Sequence, residues 1–175
     1  MSDDKVWEVY GDNTDPILIT GRTIEPPIMG YQDTVKFSNG SKIRIQNCHI
    51  VGGSEDCIDM NRGCRDITVD SCELDSRGKY CMTIKDTERV TVVDTVILSH
   101  GSETDIDLGN WTDTSKARTK GVRLIGVTSA DGRPVKVRVG HADWPQIIGG
   151  KCKIDYVGSF LLKAYWQLKS WGLIK

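Results

Sequence analysis

The sequence predicts an all-β chain: a right-handed parallel β-helix of about five coils, with three strands per coil and a period of about 24 residues, followed by a C-terminal amphipathic α-helix. The first observation behind this is cysteine spacing, since Cys48 and Cys72, and Cys57 and Cys81, lie 24 residues apart. Broken at that interval, the chain superposes on itself as DTVKFSNGSKIRIQNCHIVGGSE (33–55), DCIDMNRGCRDITVDSCELDSRGK (56–79) and YCMTIKDTERVTVVDTVILSHGSE (80–103). A fourth line (104–133) carries extra residues after its first strand, and a fifth (134–154) is slightly short. A fixed period in the twenties is the mark of a solenoid.

The second observation is that each line holds three short segments of alternating apolar and polar residues, as half-buried strands do. The first strands turn inward Val35/Phe37, Ile58/Met60, Met82/Ile84, Ile106/Leu108 and Val135/Val137. The second contribute Ile43/Ile45, Ile67/Val69, Val90/Val92, Val122/Leu124 and Ile147; the third contribute Cys48/Ile50, Cys72/Leu74, Thr95/Ile97, Val127 and Cys152/Ile154. The third observation is punctuation: Asn39-Gly40, Gly52-Gly53, Arg62-Gly63 and Gly101 fall between the strands, where the backbone must turn sharply. Leucine-rich repeats share the period, but these lines lack the LxxLxL pattern and any helical segment.

Three regions follow: an N-terminal cap (1–32), the β-helix (33–154) and a C-terminal capping or oligomerisation helix (155–175). That helix is expected over Ser159–Trp171, with Phe160, Leu161, Ala164, Tyr165, Leu168 and Trp171 on one face and Lys163, Gln167 and Ser170 on the other. It serves either to cover the last coil or to dock a partner, because a solenoid's open ends need covering.

Net charge is −1 with an isoelectric point near 6.3, so no global positive field draws the chain to nucleic acid. No run approaches the roughly 18 apolar residues of a membrane span. MSDDKVWEVYGDNTD lacks the basic and apolar regions of a secretory leader, so synthesis in a reducing cytoplasm is expected, with the six cysteines as thiols. No CxxC pair occurs and the three histidines are scattered, so neither a metal nor a cofactor is called for.

The segment IRIQNCHIVGGSEDCIDMNRGCRDITVDSC (43–72) resembles coils of the pectin-lyase-like β-helix superfamily, which includes polygalacturonases, pectate lyases and bacteriophage tail spikes. In polygalacturonases a strand of this kind leads to a Gly-Asp-Asp-Cys-Ile element bearing catalytic aspartates; here the matching residues are Glu55-Asp56-Cys57-Ile58. Where that family carries Gly-His-Gly, this chain has Gly78-Lys79-Tyr80. The tail-spike likeness implies a virion-associated homo-oligomer, a trimer foremost.

Stacking arithmetic gives further candidates. Asp59, Thr83 and Asp107 form an outward column on the first sheet, continued by Lys36 and Lys136, and beside it run Glu55, Lys79 and Glu103. Carboxylates two coils apart approach the roughly 6.5–9.5 Å of an inverting glycosidase pair, so Asp56, Asp59, Asp105 and Asp107 are the catalytic candidates if the chain is an enzyme. The long insertion GNWTDTSKARTKG (109–121) and the equivalent turn GHADWPQ (140–146) put Trp111 and Trp144 on one edge, with Asn110, Asp113, His141 and Asp143 nearby. Flat aromatic faces flanked by hydrogen-bonding groups suit sugar rings. Three functions remain open: a non-enzymatic virion component binding a glycan or partner subunit, a polysaccharide hydrolase or lyase, and a purely structural module of a larger assembly.

Overall fold

The computed structural model describes residues 7–11, 13–26, 30, 32–109, 118–157 and 168. The strands run in chain order as β1 Trp7–Tyr10, β2 Ile17–Thr20, β3 Thr23–Ile24, β4 Asp33–Ser38, β5 Ser41–Gln46, β6 His49–Val51, β7 Asp56–Asn61, β8 Arg65–Asp70 and β9 Glu73–Asp75. They continue as β10 Tyr80–Ile84, β11 Glu88–Val93, β12 Val96–Ser99, β13 Ile106–Leu108, β14 Arg123–Ile125, β15 Thr128–Ser129, β16 Val135–Val139, β17 Gln146–Ile148 and β18 Cys152–Tyr156. They stack into three parallel sheets: sheet A in the order β1-β4-β7-β10-β13-β16-β18, sheet B as β2-β5-β8-β11-β14-β17, and sheet C as β3-β6-β9-β12-β15. The molecule is a parallel β-solenoid of about five turns with a period near 24, as the repeat predicts.

The apolar ladders form because alternation sends every second side chain inward and each rung lies directly above the last. On sheet A, Val35, Ile58, Met82, Ile106 and Val137 stand in one ladder and Phe37, Met60, Ile84, Leu108 and Val139 in the next, all fully buried. Sheet B faces them with Ile19, Ile45, Val69, Val92 and Leu124. The corner between sheets B and C is made in each coil that has both by one left-handed residue: Gly21, Asn47, Ser71, Asp94 and Gly126, with φ between 46° and 63°. Glycine, Asn and Asp adopt that conformation most readily, and the recurring corner keeps the coils in register.

Coil five departs from expectation in two ways. Opposite Ile106 and Leu108 stand Val137 and Val139, not Val135 and Val137, so Arg138 rather than Lys136 continues the outward column. The reason is an overhang: β16 begins two residues ahead of β13, where the Lys136 amide donates to Asp105 Oδ2 (2.7 Å) and its carbonyl accepts from Thr104 Oγ1 (3.0 Å). Coil five also lacks a third strand. Gly149 and Gly150 (φ 66° and 73°) turn the chain straight back into sheet A, so Cys152 pairs opposite Val135 instead of joining the column of Cys48, Cys72, Thr95 and Val127.

At the other end, residues 7–24, assigned from sequence to a cap, supply β1, β2 and β3, which pair in register with β4, β5 and β6 and so add a rung to each sheet. All six cysteines are free thiols. Burial, before any neighbouring charge, pushes the stacked Cys57 and Cys81 thiols far up, so both behave as core fillers. The expected C-terminal helix, with Phe160, Leu161, Tyr165 and Trp171, lies outside the described residues; Leu168 is helical and 37% exposed. Among the described residues no helix is long and apolar enough to cross a membrane.

Candidate functional site

The outer face of sheet A carries the row Lys36, Asp59, Thr83, Asp107 and Arg138, fixed by strand register. The start of β7 adds a second line to it. The amides of Glu55 and Asp56 both donate to the Gln32 carbonyl (2.8 and 3.1 Å). Asp56, at the start of β7, accepts a hydrogen bond from Thr83 Oγ1 (3.0 Å), whose residue stands opposite Asp59. Asp33, opposite Asp56 on the preceding rung, completes a trio of carboxyl groups.

The trio is enclosed: Asp33, Asp56 and Asp59 are 3%, 5% and 7% exposed. Lys36 Nζ lies 3.1 Å from Asp33 Oδ2 and 3.2 Å from Asp59 Oδ2, and Asn61 Nδ2 donates to Asp59 Oδ2 (2.7 Å). Burial is the largest influence on all three carboxyl groups. With the Glu55 charge it raises Asp33, with repulsion from Asp59 and Asp33 it lifts Asp56 well above the usual carboxylate range, and with repulsion from Asp33 it brings Asp59 to about 6 despite the pull of Lys36. The Lys36 ammonium is itself raised, its two carboxylate neighbours outweighing its desolvation.

Two rungs further on, Asp107 is wholly buried: Arg138 Nε donates to Oδ1 (2.8 Å), while Oδ2 accepts no hydrogen bond and has Lys85 Nζ at 3.4 Å. Arg138 also donates to Tyr80 Oη (3.0 Å), and Tyr80 Oη donates to Glu103 Oε2 (2.7 Å). The Tyr80 ring lies under both cations, 5.2 Å from the Arg138 guanidinium carbon and 5.8 Å from Lys85 Nζ. Glu103 is thus drawn toward Arg138 and Tyr80, while Glu55 pairs with Lys79 at 2.6 Å.

Asp105 stands apart from this face. It lies in the turn before β13, fully buried, accepting from the amides of Gly101 (3.1 Å) and Lys136 (2.7 Å). His100 Nδ1 is 2.8 Å from its Oδ2, and His100 Nε2 reaches Asp131 Oδ1 at 3.3 Å. Through these contacts Asp105 braces coils four and five.

At the coil-four edge, Arg118 Nε donates to Asp143 Oδ1 (2.6 Å) and Nη2 to the Ala142 carbonyl (2.5 Å), while Thr119 bridges in parallel to Ala142. These contacts tie the end of the long insertion to the following turn. His141, Asp143 and Trp144 are half-buried on that turn. Asn110, Trp111 and Asp113 lie outside the described residues.

Sequence reasoning missed Asp33, Lys85, Arg118 and Arg138. Asp33 was legible, being one rung from Asp56. Arg138 was hidden because the coil-four insertion sets it 31 residues from Asp107. Among the described residues no group of three or more His, Cys, Asp or Glu side chains is placed to hold a metal ion. Comparison with known families, curated proteins and solved structures finds no match to this chain.

Proposed function

We propose that this β-solenoid is a non-enzymatic binding protein of the virion tail-spike or fibre kind, which presents the coil-four edge to a surface glycan. The observation that carries the reading is the Arg118 clasp on Asp143 and Ala142, which fixes the turn bearing half-exposed His141 and Trp144. An aromatic face between hydrogen-bonding side chains is the common form of a sugar platform. The carboxylates an enzyme would need are meanwhile committed within the stack: Asp105 to two amides and His100, Asp107 to Arg138 and Lys85.

A hydrolase reading draws support from one feature, the placement of Asp59, held near 6, on the same outward row as ion-paired Asp107. One experiment separates the readings. On a broad glycan panel, Trp144→Ala should lower retention about tenfold or more, the loss of a good stacking contact, with the melting temperature unchanged and no sugar ends released. Unaltered retention overturns the glycan reading, and released reducing or unsaturated ends establish the enzymatic one.

Assembly belongs to the same proposal. Residues 159–171 would join three copies, with an aromatic helix face covering the solenoid end. Sedimentation of the full chain should give a trimer that dissociates when residues 159–175 are removed; a monomeric full chain removes this part.

A further inference from the structure

We infer that Asp33, Asp56 and Asp59 hold a shared proton at neutral pH, which makes the stacking of β4, β7 and β10 a proton-coupled device independent of glycan binding. Three carboxyl groups, none more than 7% exposed, meet one ammonium in direct contact, Lys36, which touches Asp33 and Asp59. The third, Asp56, receives the Thr83 hydroxyl and shares a side-chain hydrogen bond with Asp33, with no ammonium in contact.

The surrounding charges do not neutralise the remainder. Lys85, after β10, is the next cation, and it is engaged by Asp107 at 3.4 Å. Arg138 on β16 is bound to Asp107 and Glu103. Glu55, in the turn before β7, adds a further negative charge beside Asp33, partly answered by Lys79 at 2.6 Å. Behind the strands lie Cys57, Cys64 and Cys81, whose thiols burial keeps neutral. Burying uncompensated carboxylates is expensive, so retaining a proton is the lower-energy solution, and it supplies a donor between oxygens that otherwise repel.

The sign of the effect follows. Each carboxyl group is raised above its unfolded value, so the native state binds more protons than the unfolded chain once pH exceeds the unfolded value of 3.8. Stability therefore falls as pH rises from there through the folded values, and the loss is complete above them. At acid pH the three rungs are tightened; toward alkaline pH three carboxylates repel across them.

The test is thermal unfolding of the full chain and of Asp56→Asn across the pH range. The native melting temperature should fall by about 5–10 °C between roughly pH 5 and pH 8. Asp56→Asn, which removes the charge but keeps the shape, should lie above the native protein at the alkaline end and show about half the slope. Superimposable profiles overturn the inference. If Asp56→Asn does not fold, carboxyl carbon shifts of the native protein decide: a titration near neutral pH supports the shared proton, and all three groups ionised by about pH 5 refute it.

Discussion

Arg138→Met should lower the unfolding free energy by about 3–5 kcal/mol, because it leaves a fully buried carboxylate short of its principal partner. Asp107 then keeps only Lys85, at 3.4 Å and from one side. The same substitution releases Tyr80 Oη and Glu103 Oε2 from the guanidinium fork. In urea the midpoint should fall while the slope stays constant, and the melting temperature should drop by about 6–20 °C, given roughly 2–4 °C per kcal/mol for a chain of this size. Added salt should do little to the difference, since enclosed pairs are weakly screened. The second variant makes the cause visible: Arg138→Met with Asp107→Asn should recover much of the loss, because no fully buried carboxylate is then left unpaired. If the double variant is no better than the single one, the loss belongs to Arg138's packing on Tyr80 and not to its charge.

The pair also explains what could be read from sequence and what could not. The inward ladders from Val35 to Ile106 were legible because alternation and a constant interval are properties of the string itself. The outward row was legible through Thr83 and Asp107 for the same reason. It broke at coil five, where the insertion after Gly109 and the overhang of β16 both shift the count, so Lys136 was matched to the column that Arg138 occupies. Burial of the outer face was not legible at all. An Asp on an exterior strand position reads as solvated, and enclosure of Asp59 and Asp107 depends on tertiary neighbours that no local pattern encodes. The shared Gln32 carbonyl at Glu55 and Asp56 escaped likewise, since two amides meeting one acceptor leave no compositional mark.

Gly109→Ala should destabilise the stack by about 2–5 kcal/mol, through backbone strain and overlap together. Gly109 has φ +77°, which a residue with a Cβ adopts at a penalty, and the added carbon would lie 2.5 Å from both the carbonyl carbon and the oxygen of His141. Those are backbone atoms of the next coil, so no side-chain rotation relieves the contact. Gly109 itself is fixed to the preceding coil, its amide donating to the Ile84 carbonyl at 2.8 Å. The only relief is to separate coil four from coil five. In a solenoid each coil interacts mainly with its neighbours, so the damage should stay local. Amide exchange should accelerate in β16, β17 and β18 while β4, β7 and β10 keep their protection. Uniform loss of protection would show instead that the coils unfold as one unit. The same substitution displaces the turn that carries His141 and Trp144. Glycan retention and coil-five protection should therefore fall together if that edge is the binding surface. Retention that persists after coil five has loosened would move the glycan contact elsewhere on the solenoid.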